Sequence, residues 1–346
     1  MASTKKTASV GQKLKSMSDT NLLLMITVVV FFLMYIGAML FQGGGFLKAQ
    51  TFFNILNAQA ALIITACGLS IVMITGSIDI SVGGVVALVS MCCAVYLDYH
   101  DGNVFASILI ALAIGLGFGL VQGFLVAYLD IQPFIVSLAG MFFARGMTTI
   151  VHTNPFNVEN EAFVALKDTR VIVPGMGSVN RIGKYVDAYV EIGVIVALLI
   201  VILLFCLLRW GRLGRSFYAV GGNRQSALML GINVKRTRFL AHLFCGILAG
   251  IGGYVYFLHV GSGAASHASG MEMNAIASSI IGGTLLTGGV GNLIGTLFGV
   301  LSLSTIQNIV SSAGLDKAWW TGITIAAMLC LFLVIQSVVM ARKKKA

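Results

Sequence analysis

Charged residues are scarce in this chain of 346 residues, of which only 10% are Asp, Glu, Lys or Arg. Soluble domains carry about 25%, whereas 58% of the residues here are hydrophobic and the mean hydropathy is +0.96. The composition therefore excludes an ordinary soluble protein and predicts a membrane protein. Only three prolines occur, so most of the predicted helices should run unbroken.

The sequence also lacks the usual arrangements for catalysis, nucleotide binding and metal binding. No phosphate-binding GxxxxGK[ST] loop is present, so any ATP that drives this protein must be bound, with Mg, by another subunit. The six cysteines lie in apolar runs without metal-ligand spacing, and no Ser/His/Asp group of catalytic spacing stands out. We therefore expect no catalytic residue, no metal site and no cofactor on this chain.

The net charge of +10 comes from clusters that flank apolar runs, not from a nucleic-acid surface. Lysines at 5–15 precede the first run, basic residues at 342–345 follow the last, and segment 209–238 carries seven basic residues and no acidic one. Basic loops stay on the cytoplasmic side. Both termini and segment 209–238 are thus predicted to be cytoplasmic, with no nucleic-acid partner.

Apolar runs long enough to cross a bilayer of about 30 Å predict an all-α, polytopic protein with about ten transmembrane helices. Its parts are a basic tail (1–20), a transmembrane domain (21–340) with an extracytoplasmic loop at 152–190, and a second basic tail (341–346). The predicted spans are Leu22–Phe41, Asn57–Thr75, Val82–Tyr99, Val104–Leu129, Phe134–Val151, Glu191–Leu208, Phe239–Val260, Ala275–Leu286, Leu293–Val310 and Trp319–Met340.

Two segments interrupt the apolar runs. In Met73–Gly84, Ser77 or Asp79 is placed to cap the helix that follows, and the same side chains offer hydrogen bonds to a polar cargo. In Ile280–Gly299, glycines at four-residue spacing (291, 295 and 299) indicate close helix packing, and the Gly-rich turn before them indicates a short re-entrant segment.

Ionisable residues within the spans are few. Asp130 is interpreted as part of a turn, and Arg145 either lines a pathway or forms a structural pair. No chain of Asp, Glu and His crosses the predicted bilayer, which disfavours proton- or sodium-coupled transport.

The segment 209–238 is too polar to span a membrane, and its middle, from Asn223 to Leu230, contains good helix formers. This pattern predicts a short helix on the membrane surface, where a soluble partner can press on it.

Four segments, in this order, carry a resemblance to a known family: TGSIDISVGG (75–84), IQPFIVSLAGMFFARG (131–146), GRSFYAVGGNRQSALMLGINV (214–234) and IGGTLLTGGVGNLIGTLFG (281–299). The chain resembles the permease subunits of bacterial monosaccharide ABC importers, and it is most similar to the galactofuranose type. The resemblance implies a type II-like importer permease in the bacterial inner membrane. It also implies three kinds of partner: a cytoplasmic ATPase with two fused cassettes, a second permease copy or paralogue, and an extracytoplasmic sugar-binding protein.

In that family, the segment that matches Gly222–Ile232 is the coupling helix, which sits in a groove of the ATPase. Ala227, Leu228, Leu230 and Ile232 are expected to supply its packing surface, with Arg224 and Gln225 at the rim. The full set expected to couple to the ATPase is Arg215, Gly222, Asn223, Arg224, Gln225, Ser226, Ala227, Leu228, Leu230, Gly231 and Ile232.

Polar and aromatic side chains within the spans are expected to line the pathway: Asn57, Gln59, Asp79, Ser81, Gln122, Phe134, Phe143, Arg145 and Asn274. Ser77 stands where the family often has a second glycine, so cargo preference can differ. Three other cargoes stay open, namely nucleosides, a signalling furanose and branched-chain amino acids. A different class, a passive facilitator, fits the sparse charge but gives segment 209–238 no purpose.

Overall fold

The computed structural model describes residues 19–42, 46–179, 185–314 and 317–345, and all statements below concern these residues. The N-terminal basic residues at 5–15 lie outside them. The first half contains the helices α1 (Asp19–Gln42), α2 (Ala49–Ile74), α3 (Val82–Tyr99), α4 (Val104–Ala127) and α5 (Pro133–Val151).

The second half contains two long helices, α7 (Ile192–Trp210) and α10 (Val234–Val260), which are separated by the short helices α8 (Arg212–Gly222) and α9 (Arg224–Met229). It ends with α11 (Met271–Ile281), α12 (Leu293–Ser312) and α13 (Ala318–Lys345). The core lies around α2, which is buried along most of its length, and around α10, which packs against α2, α3 and α4.

Eight of these helices are long and apolar enough to cross a membrane, and α13 contains a ninth apolar stretch, Trp319–Ile335. The predicted eighth span, Ala275–Leu286, is wrong as a full helix, because α11 has only 11 residues and a length of about 16 Å. The chain continues beyond α11 as a non-helical segment until Gly289, whose N–H donates to the carbonyl of Ile74 at the end of α2. Helix α11 and this segment together run beside α2, so the eighth passage is half helical.

Hydroxyl groups hold the half-helical passage in place. The Ser70 hydroxyl of α2 lies 2.9 Å from Ser279 of α11 and 2.7 Å from Thr296 of α12. The backbone groups that the broken helix leaves free are also met within the protein, as at Gly289. Irregular backbone at membrane depth is tolerated only where protein covers it, and α2 and α12 provide that cover.

The predicted all-α, polytopic fold is confirmed for the membrane helices, and strands occur in the long loop at 152–190. It contains β1 (Phe156–Asn157), α6 (Glu161–Lys167) and the antiparallel strands β2 (Arg170–Val179) and β3 (Tyr185–Glu191). Strand β1 pairs with β4 (Ser262–Gly263), and Phe163 of α6 stacks on Phe257 of α10 with ring centroids 4.3 Å apart. We call this the hairpin side of the protein, and the opposite side, which carries α8 and α9, the basic side.

Helices α4 and α10 approach each other through glycines. A Cβ atom at Gly246 of α10 would lie 2.5 Å from the carbonyl oxygen of Gly115 and 2.6 Å from the Cα of Gly119, both on α4. Small residues at such crossings permit the close approach of two helices. A larger side chain at Gly246 would therefore push α4 and α10 apart.

The α4–α10 crossing gives a first prediction. Gly115→Ala should destabilise the protein by about 1–3 kcal/mol, because the added methyl group meets backbone atoms of α10 rather than flexible side chains. Gly117→Ala is the matched control on the same helix, since its Cβ would meet nothing within 4 Å. Thermal unfolding of the two detergent-solubilised variants, followed by size-exclusion chromatography, tests this. Equal melting temperatures would contradict the prediction.

Candidate functional site

The short surface helix predicted within Asn223–Leu230 is present as α9. Its first turn is capped by Asn223, whose side-chain oxygen accepts the backbone N–H of Ser226 at 2.8 Å. Its end is followed by Gly231 with φ +78°, a left-handed conformation that favours glycine at the end of a helix. A helix of six residues is not stable alone, so its position depends on the contacts described next.

One face of α9 packs inward. Ala227 is buried against Val220 of α8 and Val234 of α10, with Ile232 half-buried on the same cluster. Ala227 is therefore covered by this chain, contrary to the expectation that it packs against a partner, while Ile232 is partly covered and its role in docking stays a prediction. These side chains instead fix α9 to the protein.

The opposite face of α9 presents apolar side chains to solvent. Leu228 is 53% exposed, Met229 81% and Leu230 77%. We call these three residues the apolar ledge. Met229 was missed by the sequence analysis, although a helix that buries Ala227 must turn the next positions outward. Of the remaining predicted coupling residues, Gly222, Arg224, Gln225, Ser226 and Gly231 are exposed around the ledge.

Helix α8 is held against the ends of the membrane helices. The Tyr218 hydroxyl donates to the carbonyl of Gly291 at 2.8 Å. Gly221 lies so close to the carbonyl of Ile74 that a Cβ atom would overlap it. Arg215, predicted to couple to the ATPase, lies on α8 outside the ledge and donates to the carbonyl of Trp210 at 3.1 Å; its role in coupling stays a prediction. Helices α8 and α9 are thus held against the ends of α2 and α12 that lie on the basic side.

A second connection joins α9 to the turn between α4 and α5. Asp130 accepts hydrogen bonds from Arg224, just before the ledge, at 3.1 Å and from Arg238 of α10 at 2.8 Å. These two guanidinium groups lower the pKa of the Asp130 carboxyl, the Arg238 hydrogen bond being the larger cause. Asp130 has φ +53°, which Asp tolerates better than most residues. We call these three residues the Asp130 clamp.

Three predicted pathway residues form a buried cluster instead of an open channel. Asp79, Ser81 and Gln122 are each less than 5% exposed. Asp79 accepts from the Ser81 N–H at 2.9 Å and from its hydroxyl at 2.6 Å. With its amide nitrogen toward the carboxylate, Gln122 donates to Asp79 at 3.1 Å. The cluster joins α4 to the segment that precedes α3.

The predicted helix cap in this segment is wrong. Helix α3 begins after Ser81, which makes no side-chain cap. The backbone N–H that Asp79 accepts is that of Ser81, outside the helix. Ser77 is buried. This segment is therefore covered by protein and is not a surface turn.

Arg145 forms a structural pair, which resolves the two interpretations left open by the sequence. It donates to the carbonyl oxygens of His267 and Ala268, the latter at 2.7 Å, and lies 3.8 Å from the carboxylate of Glu272. Ala268 has φ +51°. Glu272 lies in the first turn of α11 and against Gly83 at the start of α3, where two helix dipoles favour its negative charge.

The Arg145–Glu272 pair gives a second prediction. Arg145→Met should lower stability by about 3–5 kcal/mol, because it leaves the Glu272 charge buried without its partner. Adding Glu272→Gln should recover part of that loss. The measurement is the melting temperature in detergent, with Arg236→Met, an exposed arginine on α10, as the matched control. A double variant less stable than Arg145→Met would count against the pairing.

Two other predicted pathway residues share a polar cleft on the hairpin half of the protein. Gln59 of α2 and Asn274 of α11 line it together with Tyr256, Ser266 and Ser269, and its volume is about 350 Å³. That size is within the range of small-molecule sites. The cleft adjoins Ala268, so the Arg145 contacts fix one of its walls.

The last three predicted pathway residues lie elsewhere. Asn57 is buried on the hairpin side, where its side-chain oxygen accepts the N–H of Glu191 at 3.0 Å. Phe134 and Phe143 are exposed on α5. Phe143 lies beside Phe118 of α4, with centroids 6.1 Å apart, in an apolar groove that Gln122 also lines. The nine candidates therefore occupy several separate places in the protomer.

Comparison with known proteins assigns the chain to one family. Residues 51–333 match the family described as branched-chain amino acid transport system / permease component. The chain belongs to this family of ABC importer permeases, as its sequence motifs indicated. It is a multi-pass membrane protein and the permease subunit of an importer that also needs an ATPase and a binding protein.

Individual relatives agree with this assignment. The chain is 35% identical to the inner membrane ABC transporter permease protein YjfF of Escherichia coli, over 92% of this chain and 93% of that protein. It is 36% identical to the fructose import permease protein FruG of Bifidobacterium longum, over 91% and 90%. It is 32% identical to the ribose import permease protein RbsC of Escherichia coli, over 79% and 81%. No solved structure matches the chain.

Proposed function

We propose that this chain carries a monosaccharide across the bacterial inner membrane as one of two permease subunits, driven by ATP hydrolysis on a bound ATPase. The cargo class rests on the relatives, two of which are named for the import of fructose and ribose. The coupling role rests on one observation, the apolar ledge at Leu228–Leu230, which is exposed where a soluble partner can reach it.

The basic side is assigned to the cytoplasm by its arginines and lysines. An ATPase with two fused cassettes, which also holds ATP and Mg, would dock there, one cassette against each permease. On the hairpin side, β2, β3 and α6 present the surface for an extracytoplasmic sugar-binding protein. The second permease is a further copy of this chain or a paralogue.

A motion of the ATPase would act on the ledge, and two sets of contacts would transmit it from α9 to the rest of the permease. The first is the packing of Ala227 on α8 and α10, and the second is the Asp130 clamp, which reaches the start of α5. A motion of α9 is thereby linked to the tilt of α5 and α10. The polar cleft at Gln59 and Asn274 provides hydrogen-bonding groups for a sugar along the moving wall.

Affinity purification of the tagged chain from its native membranes tests the assembly. We expect a roughly stoichiometric ATPase with two nucleotide-binding cassettes and, if the dimer is mixed, a second permease. Uptake of radiolabelled cargoes by cells that express the complete system then tests the substrate class, using pentoses, hexoses, a signalling furanose, a nucleoside and leucine. Preference for leucine or the nucleoside would overturn the sugar assignment.

Removing the coupling segment distinguishes an importer from a passive facilitator. Replacing residues 222–231 with a flexible Gly/Ser linker should abolish uptake in an importer, because the ledge and its cap are lost. A facilitator would retain uptake in this variant. Recovery of the linker variant in the membrane at wild-type level is the control.

A further inference from the structure

A cleft on the basic side has no role in the function proposed above. It lies between the start of α1, the end of α7, helix α8 and the first turn of α12, and its volume is about 470 Å³. Two arginines line it, Arg209 in the last turn of α7 and Arg215 of α8. Both are exposed, and neither makes an ion pair among the side chains that the structure describes.

Arg209, Arg215 and Tyr218 all line this cleft. Burial raises the pKa of Tyr218 to about 12, while the charge of Arg209 acts in the opposite direction. The first turn of α12 (Leu293, Ile294) adds the partial positive charge of a helix start. This wall suits an anionic group with several acceptor oxygens, such as a phosphate.

The wall also has an apolar part, besides the polar residues Thr20, Asn21 and Asn292. Leu24 of α1, Phe205 and Leu208 of α7 and Leu293 of α12 line it, and three of these helices are candidate membrane spans. Trp210, at the end of α7, is 69% exposed, as is usual for aromatic residues at headgroup level. A free anion would gain nothing from contact with apolar side chains, whereas a phospholipid has a charged headgroup for the arginines and acyl chains for the apolar residues.

We propose that this cleft binds the headgroup of an anionic phospholipid, with the phosphate between Arg209 and Arg215 and the acyl chains along α1 and α7. Bound there, the lipid joins α1, α7 and α12 to α8, the helix that leads into the coupling segment. Basic pockets at the cytoplasmic ends of spans are recognised in this way by acidic headgroups.

The test measures lipid retained by the complete importer complex, so it needs neither cargo nor uptake and is independent of the proposed function. The complex is delipidated with detergent, titrated with phosphatidylglycerol or phosphatidylethanolamine, and followed by native mass spectrometry. The wild type should bind phosphatidylglycerol in preference, and Arg209→Gln with Arg215→Gln should weaken that binding about tenfold or more. Arg212→Gln, an exposed arginine of α8 that does not line the cleft, is the matched control.

Each other outcome overturns the proposal. Equal binding of the two lipids would show that headgroup charge does not select the lipid. Equal loss with Arg212→Gln would reduce the effect to general charge attraction. Displacement of phosphatidylglycerol by millimolar inorganic phosphate would assign the cleft to a free anion. The variant Arg209→Lys with Arg215→Lys keeps the charge and should retain binding, so loss of folding cannot imitate the result. A lysine variant that bound no lipid, although the complex stayed assembled, would also overturn it.

Discussion

Replacing Met229 with Glu should reduce ATP-driven uptake to background. Met229 is the most exposed member of the apolar ledge and belongs to no buried cluster of the described residues, so the substitution leaves α9 itself intact. A carboxylate placed in an apolar groove of the ATPase loses the burial of the methionine and also costs the desolvation of a charge. Central interface residues of this kind contribute about 2 kcal/mol or more, which corresponds to roughly a thirtyfold loss of affinity.

The measurement is the amount of ATPase recovered with the tagged permease, together with uptake in the same cells. Lys235→Glu is the control for charge, because it adds negative charge to an exposed position on the same side, outside the ledge. Met229→Leu should retain both activities. Full recovery of the ATPase with Met229→Glu would show that the ATPase docks on a surface other than the ledge.

The membrane passages could be predicted from hydropathy because each long helix satisfies its own backbone hydrogen bonds, so composition and length suffice. The passage from Met271 to Gly289 follows a different rule. Its backbone is partly satisfied by Ile74 and the hydroxyl of Ser279 by Ser70, partners that are far apart in sequence. The cluster of glycines indicated an irregular segment there, but not which helices would cover it.

The pathway candidates were harder to predict for a related reason. Polarity alone does not distinguish a side chain that faces a pathway from one that satisfies a buried partner. Asp79, Ser81 and Gln122 satisfy each other, and Arg145 satisfies carbonyl groups and Glu272. Gln59 and Asn274 look alike in sequence yet line an open cleft. Only the packing of α2 against α11 shows that Gln59 and Asn274 line a cleft and do not satisfy buried partners.

The partners of Asp130 likewise could not be predicted from the sequence, and substitution of this residue is the second change expected to have a large effect on uptake. Nothing local to this residue indicates its partners, because Arg224 and Arg238 lie 94 and 108 residues further along the chain. In the structure it connects the coupling segment to the turn before α5. If the clamp carries motion, its loss should separate ATP hydrolysis from transport while the ATPase stays bound to the ledge.

We therefore expect Asp130→Asn to lower uptake by about tenfold or more, within the usual range of coupling free energies, with ATP hydrolysis by the complex retained. Asparagine tolerates the positive φ at this position, so the loss reports the charge rather than the backbone. Asp101→Asn is the matched control: Asp101 also has a positive φ of 46°, lies in the α3–α4 turn, and has no ion pair within the described part of the chain.

The pH dependence of uptake follows from the same clamp. The pKa of Asp130 is lowered in the folded protein by Arg238 and Arg224, so its contribution is complete above the usual Asp pKa of about 3.9. It is lost only as the pH falls through the lowered value. Titration of Asp130 should therefore cause no change in wild-type uptake between pH 5 and 8. High salt, in contrast, should weaken the exposed ion pair between Asp130 and Arg224. Proportional loss of hydrolysis and uptake in Asp130→Asn would show that the residue supports docking and not the transfer of motion.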